Sequence, residues 1–204
     1  MSIQIVKSYD NRNLLQGTED IQKILNYFIT NKKKCCVVFD IDDTLIDSEK
    51  GKPIKEGKDL YNYCKKNNVP CFFITARLKE KKVFDQTIDE LAKVGIIASE
   101  ENLKLSPASW RDTFPKISLW KKKTRQKISE DLGCKITFTI GDQWGDLIHI
   151  TEKDYQQLNN SFYSDVDSIK QSKGLLIRTK DDVGMWGYKM LSNVEEKGFL
   201  KSLL

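Results

Sequence analysis

The sequence has 204 residues and a hydrophobic fraction of 39%, which is enough for one domain with a packed core and small additions. It contains no run of about 18 apolar residues, so no membrane span is expected, and its N-terminus lacks the basic-then-apolar order of a secretory signal. Five cysteines without a Cys-x-x-Cys pair argue against a disulfide framework or a zinc site and favour a cytoplasmic location.

The charge balance, 34 Lys and Arg against 29 Asp and Glu, is mildly basic, with lysine runs at 32–34, 65–66 and 121–123. Such runs attract anionic substrates or nucleic acid. Lysines are also favoured at helix C-termini, where they are solvated, and this second interpretation is preferred. No segment alternates basic with aromatic residues, so a dedicated nucleic-acid surface is not indicated.

Hydrophobic periodicity predicts four helices, the first of which follows Thr18 as an N-cap and has Ile21 and Phe28 on one face. The other three are 56–66, a helix with Phe84, Ile88 and Leu91 on one face that stops at Gly95, and 121–132 before Gly133. Apolar runs predict strands, buried on both faces where the run is continuous, at 35–41, 71–75, 103–105, 136–140 and 174–178.

Strands that alternate with helices indicate βαβ units. The expected fold class is therefore α/β, a Rossmann-like three-layer α/β/α sandwich with a mostly parallel sheet. We predict a single domain over 1–204, with a helical addition at 1–34 and a motif-bearing core at 35–147. The remainder, 148–204, is expected to hold a strand and helices, including a helix at 185–191.

Acidic and hydroxyl side chains follow several of the predicted strands. Asp40 and Asp42 come after the first buried strand, Thr75 ends the second, and Asp142 follows the strand at 136–140. Ligands of parallel sheets bind beyond the carboxyl ends of the strands, so these groups are expected to converge at one edge. Clustered carboxylates repel one another unless a cation lies between them, and hard oxygen ligands suit Mg²⁺.

Such an edge would support attack on a phosphate monoester. Asp40 would attack phosphorus to form an aspartyl-phosphate, and Asp42 would act as the acid and then the base. Thr75 and Lys121 would hold the phosphoryl group. Asp142 and Asp146, four residues apart, can both face a metal if a helical turn separates them.

The same residues resemble the four motifs of the haloacid dehalogenase (HAD) superfamily of phosphatases and phosphotransferases. The motifs are Asp40-x-Asp42-x-Thr44, Phe73-Ile74-Thr75, Lys121, and Gly141-Asp142-x-x-x-Asp146. Residues 120–125 and 141–147 are similar to the acid phosphatase branch called subfamily IIIB. The resemblance implies an HAD-like fold, a Mg²⁺ cofactor and a metal site made by Asp40, the Asp42 carbonyl, Asp142 and Asp146. It also implies that Thr75 and Lys121 bind phosphate.

The sequence departs from that branch at two positions, since Gly145 stands where serine is common and Ala76 where asparagine is common. Neither departure removes a predicted catalytic group, and both are expected to affect substrate preference. The gaps between the motifs are too short for a large cap domain, so we expect an open site. Within the second gap, the loop at 106–119 is a candidate rim for the leaving group, with simple packing as an equal alternative.

Several alternatives stay open. Without the other motifs, the aspartates at 40–43 would also be typical of a turn. Arg77 would bind substrate or pair with an aspartate such as Asp43, and Trp144 is expected to pack rather than to stack on a substrate. Cys71 and Arg77 have the spacing of cysteine-dependent phosphatases, but the bulky strand residues between them exclude a phosphate cradle.

The predicted function is Mg²⁺-dependent hydrolysis of small organic phosphates, nucleotides among them. One alternative is a phosphatase that processes nucleic-acid ends, which is not favoured, and another is a non-catalytic storage or binding protein on the same fold. The expected partner is a small phosphorylated substrate, with no membrane, and the sequence allows a homodimer.

Overall fold

The computed structural model describes residues 3–10, 14–111, 113–149, 151, 172–179 and 184–190. Its strands are β1 (Ile3–Asp10), β2 (Val37–Phe39), β3 (Cys71–Leu78), β4 (Leu103–Ser106), β5 (Ile136–Gly141), β6 (Ser172–Thr179) and β7 (Gly184–Met190). Its α-helices are α1 (Leu14–Thr30), α2 (Lys55–Lys66), α3 (Lys81–Lys93), α4 (Phe114–Leu132) and α5 (Trp144–Leu147), and a short 3₁₀-helix spans Ala108–Trp110.

The strands form one sheet in the order β1-β6-β7-β5-β2-β3-β4. The five strands from β7 to β4 are parallel to one another, whereas β6 runs antiparallel to both β1 and β7. The prediction of a mostly parallel α/β sheet is therefore confirmed. The parallel strands also end at the same edge, and this sets the position of the site described below.

Helices cover both faces of the sheet. On β2, Val37 and Phe39 belong to the core cluster that α1, α2 and α3 complete, whereas Val38 belongs to a second cluster with Trp120 and Ile128 of α4. Successive strand residues point to opposite faces, so a continuous apolar run is what a strand between two helical layers requires. This arrangement is the predicted three-layer sandwich.

Two terminal segments differ from the prediction. The segment 1–34 is not purely helical, because β1 precedes α1 and pairs with β6. The helix expected at 185–191 is wrong, since β7 occupies Gly184–Met190. Two glycines disfavour a helix there. One of them, Gly187, packs so closely on β6 that a Cβ would lie 2.8 Å from a side-chain carbon of Ile177.

Two helices begin earlier than predicted. The first starts at Leu14, so Thr18 is inside it and donates its hydroxyl to the Leu15 carbonyl rather than capping the helix. Helix α4 starts at Phe114, where the Thr113 hydroxyl accepts from the backbone N–H of Lys116. The second half of the predicted rim at 106–119 is therefore helical, and a contact of this rim with a leaving group stays a prediction.

In the described part of the chain between β2 and α4, no cap domain is inserted. Between β2 and β3 the chain forms a short turn and α2, and between β3 and α4 the described residues form α3, β4 and the 3₁₀-helix. Neither connection has room for a further domain. Within the described residues, no helix combines the length and the apolar character needed to cross a bilayer.

Candidate active site

Strand register brings the predicted residues to one edge of the sheet. Phe39 of β2 is opposite Ile140 of β5 on one side and Phe73 of β3 on the other. The backbone N–H of Asp40 continues this ladder with a 2.8 Å bond to the Ile140 carbonyl. Asp40 thus leaves the central strand between Thr75, near the carboxyl end of β3, and Asp142, which directly follows β5.

Four side chains form a buried group that we call the inner cluster: Asp40, Lys121, Asp142 and Asp146. One carboxylate oxygen from each aspartate lies within 4.8 Å of the others. The Lys121 ammonium donates to Asp40 Oδ1 at 2.6 Å and also contacts Asp146 Oδ1. All four residues are at most 6% exposed, so the charges interact with little screening by water.

A tight turn after β5 aims Asp146 back at Asp142. The Gln143 side chain caps α5, and the Gln143 backbone N–H donates to Asp146 Oδ2 at 2.9 Å, which closes a capping box. Position 141 must be glycine here, because a Cβ would lie 2.5 Å from Asp146 Oδ2. On α4, buried Arg125 donates to the Asp146 carbonyl and ties the turn to that helix.

The inner cluster carries more negative than positive charge. Burial, together with repulsion from Asp146 and Asp142, raises the pKa of Asp40 well above its usual range, despite the opposing effect of Lys121. Burial, then repulsion from Asp146, raises the pKa of Asp142 to about 7. Burial alone would lower the pKa of Lys121, but Asp146 and Asp40 outweigh it and raise that pKa.

These residues fit a divalent metal ion. The three buried carboxylates of the inner cluster outnumber its one ammonium, and a divalent cation would supply positive charge that offsets this excess. The donor set is all oxygen, as hard cations such as Mg²⁺ prefer. The metal-ligating residues would be Asp40, Asp142 and Asp146.

A second group, which we call the outer chain, consists of Asp42, Arg77 and Glu90. Arg77 Nη2 lies 2.7 Å from Asp42 Oδ1, and Arg77 Nη1 lies 2.7 Å from Glu90 Oε2 on α3. The Thr87 hydroxyl accepts a further bond from Arg77. The Thr75 hydroxyl is 3.4 Å from Asp42 Oδ2, so it belongs to this side of the site. Arg77 therefore pairs with Asp42, not with Asp43.

Asp43 has a separate structural role. Its φ of 55° lies in the left-handed region, which aspartate tolerates better than most residues. Its carboxylate accepts from both the backbone N–H and the hydroxyl of Ser48. Asp43 thus shapes the turn after β2, which is the local role that turn-forming aspartates have.

Gly145 and Trp144 both pack inside the protein. A Cβ on Gly145 would lie 3.0 Å from the Phe114 ring and 3.2 Å from Ser118 Cβ of α4. A side chain at position 145 would therefore require the Phe114 ring and Ser118 to give way by a few tenths of an ångström. Trp144 is 5% exposed, as expected for a packing residue.

Three charged residues of this region were not assigned a role from the sequence: Glu90, Arg125 and Lys189. Arg125 had a usable signal, because it is one helical turn from Lys121 and so lies on the same face. For Glu90 the sequence indicates only an exposed position on a helix. A role for Lys189 could be predicted only if β7 were recognised from the sequence as a strand parallel to β5.

Comparisons with known proteins identify a family. The family model described as "HAD superfamily, subfamily IIIB (Acid phosphatase)" matches residues 47–166, more than half of the chain. This range includes Thr75, Lys121, Asp142 and Asp146 and begins after Asp40. No curated protein matches the sequence.

A solved structure supports the fold. The class C acid phosphatase from Bacillus anthracis superposes with a TM-score of 0.56 at 18% identity, over 72% of this chain and 70% of that chain. At this identity the likeness concerns the fold alone. A hypothetical protein from Pyrococcus horikoshii OT3 matches at 18% identity over 61% of this chain and 39% of that chain, with a TM-score of only 0.30.

Proposed function

This chain belongs to the acid phosphatases of HAD subfamily IIIB, and from that premise we propose that it is a Mg²⁺-dependent phosphomonoesterase that forms an aspartyl-phosphate. The family itself implies hydrolysis of small phosphorylated substrates. The proposal of a Mg²⁺ ion and an aspartyl-phosphate is supported by the inner cluster, in which three buried carboxylates have oxygens within 4.8 Å of one another.

Asp40, Asp142 and Asp146 would hold the metal, together with the Asp42 carbonyl that the family resemblance implies. When bound, the ion would polarise phosphorus and offset the repulsion between an anionic nucleophile and an anionic phosphate. The raised pKa values of Asp40 and Asp142 support this assignment, because a carboxyl group that is buried among like charges ionises readily only when a cation joins it.

Asp40 is the proposed nucleophile. One of its carboxylate oxygens forms the bond to phosphorus while the bond from phosphorus to the leaving oxygen breaks. Lys121, which already bonds to Asp40 Oδ1, would neutralise the charge that develops on the phosphoryl oxygens. The Thr75 hydroxyl, buried within β3, would donate to another of these oxygens.

Asp42 is the proposed acid and base. It would give a proton to the departing alkoxide, then take a proton from the water that attacks the aspartyl-phosphate, so that inorganic phosphate leaves and Asp40 is restored. Arg77 would orient Asp42 through three hydrogen bonds, at 2.7, 3.0 and 3.3 Å. A direct contact between Arg77 and the substrate stays a prediction.

Hydrolysis of p-nitrophenyl phosphate tests the mechanism. We expect turnover with Mg²⁺, loss of turnover with EDTA, and loss by at least about 10³-fold in Asp40→Asn with an unchanged far-ultraviolet circular dichroism spectrum. Asp59→Asn, on the exposed side of α2, is the matched control and should retain full activity. A rate near wild type in Asp40→Asn would overturn the aspartyl-phosphate mechanism.

Small organic phosphates, nucleotides among them, are the proposed substrate class. The absence of an inserted cap between β2 and α4 supports this choice, since an uncapped edge admits varied phosphomonoesters. A panel of nucleoside monophosphates, sugar phosphates and 3′-phosphorylated oligonucleotides would test it. A strong preference for the oligonucleotide that is lost steeply with added salt would favour end processing instead. The cytoplasmic location and the homodimer stay predictions.

A further inference from the structure

A buried lysine that the catalytic proposal does not use lies beside the inner cluster. Lys189 is on β7, is 1% exposed, and is paired in register with Gly141, the residue before Asp142. Its ammonium lies 5.3 Å from the ring centroid of Trp144, two residues beyond Asp142. Lys189 therefore faces the turn that carries two of the proposed metal ligands.

Burial of this ammonium requires a compensating environment, because an isolated charge is strongly destabilised away from water. The aromatic face of Trp144 supplies one favourable contact, and the Asp142 carboxylate supplies an electrostatic one. At 1% exposure Lys189 is closed off from solvent, so it acts on the site through its field and its packing.

A fixed positive charge behind a metal ligand has two opposite effects. It weakens the attraction of the carboxylates for a second cation, and it strengthens the attraction of the same edge for an anion. Both effects act over a few ångströms in a buried environment, where screening is weak.

We propose that Lys189 is a positioning residue that holds the Asp142–Asp146 turn against β7 and sets the balance between metal affinity and phosphate affinity at this edge. This inference rests on the proposed metal-dependent phosphatase function. It gives a role to β7, a strand outside the range that the family model matches.

The test separates charge from packing. Lys189→Met keeps the length and apolar stem of the side chain but removes the charge, and Lys189→Arg keeps the charge. Calorimetric titration should show that Lys189→Met binds Mg²⁺ up to about tenfold more tightly and inorganic phosphate up to about tenfold more weakly than wild type. Lys189→Arg should remain near wild type in both. Lys127→Met, on the exposed part of α4, is the control and should change neither.

A purely structural role predicts a different result. In that case both affinities would fall together, or neither would change, and either outcome overturns the inference. If Lys189→Met does not fold, Lys189→Gln removes the charge while it keeps polarity, and the same opposed shifts are required of it. Wild-type Mg²⁺ binding and p-nitrophenyl phosphate hydrolysis report on the proposed function alone, so their failure is distinct from a failure of the Lys189 shifts.

Discussion

The two halves of the site differ most in their exposure to water. In the inner cluster, the side chains of Asp40, Lys121 and Asp146 are 7%, 6% and 3% exposed. In the outer chain, those of Asp42 and Glu90 are 39% and 47% exposed. Both halves are built from ion pairs with separations of 2.7 Å or less, so distance alone does not distinguish them.

The difference in burial changes what an ion pair does. A buried pair that loses one partner leaves an uncompensated charge in a weakly screened environment, which destabilises a fold by about 3–5 kcal/mol. An exposed pair contributes at most about 1 kcal/mol. The inner cluster therefore suits tight control of charge around a metal and a nucleophile, whereas the outer chain suits an acid and base that must exchange protons with water.

The largest expected effect is from Lys121→Met. Without metal at pH 7.5, we expect a loss of about 3–5 kcal/mol in the free energy of unfolding, because the buried carboxylates of Asp40 and Asp146 lose the ammonium that bonds to both of them. The loss should be smaller at pH 5, since the raised pKa values let Asp40 and Asp142 take up protons. Urea unfolding in EDTA at both pH values measures the loss in the free energy of unfolding.

Lys122→Met, one position along α4, is the matched control. It should change the free energy of unfolding by less than about 0.5 kcal/mol at either pH. Equal losses in the two variants would mean that the inner cluster does not depend on its ammonium.

A smaller effect is expected from Gly141→Ala. The new Cβ would meet the Asp146 carboxylate, so Asp146 must move and the fold should lose about 1–3 kcal/mol. The rise in melting temperature on addition of Mg²⁺ should also disappear, because a proposed ligand is displaced. Gly145→Ala is the comparison variant, since its Cβ would meet Phe114 rather than a ligand and should leave the Mg²⁺-induced rise in place. A normal Mg²⁺ response in Gly141→Ala would contradict the proposed ligand set.

The pH dependence of metal binding follows from Asp142. Its folded pKa of about 7 is above its usual value of 3.8, so the metal-free fold loses stability as the pH rises through this window. Metal binding must displace the retained proton. We therefore expect Mg²⁺ affinity to rise by up to about tenfold per pH unit below pH 7 and to level off above it. Calorimetry from pH 5.5 to 8.5 measures this, and a flat profile would argue against Asp142 as a ligand.

The smallest effect should come from the outer chain. Glu90→Gln removes one half-exposed partner of Arg77 and should lower the free energy of unfolding by less than about 1 kcal/mol. Because Thr87 and Asp42 still hold Arg77, kcat should fall by less than about tenfold. Steady-state kinetics and urea unfolding measure both. A loss as large as that of Lys121→Met would remove the distinction between the two halves of the site.

Much of the fold was predictable from local patterns. The apolar runs at 71–75 and 136–140 and the helix at 56–66 correspond closely to β3, β5 and α2. Local patterns gave less where pairing decided the structure. β7 has no continuous apolar run and no β-branched residue, and β1 has only the short alternation of Ile3 and Ile5. β1 pairs with β6, and β7 pairs with both β6 and β5. Tertiary context overrides such weak propensities.

The sequence by itself placed Asp40 and Asp142 at a common edge, because parallel strands end there and these aspartates directly follow two of them. The four-residue spacing from Asp142 pointed to Asp146, and the motif resemblance pointed to Lys121. Only the tertiary structure decided that Arg77 pairs with Asp42 and that Glu90 lies behind it. The tertiary structure alone also brings Lys189 against the Asp142–Asp146 turn. The physical reason is that strand order and helix packing set contacts between distant segments, and no spacing along the chain encodes them.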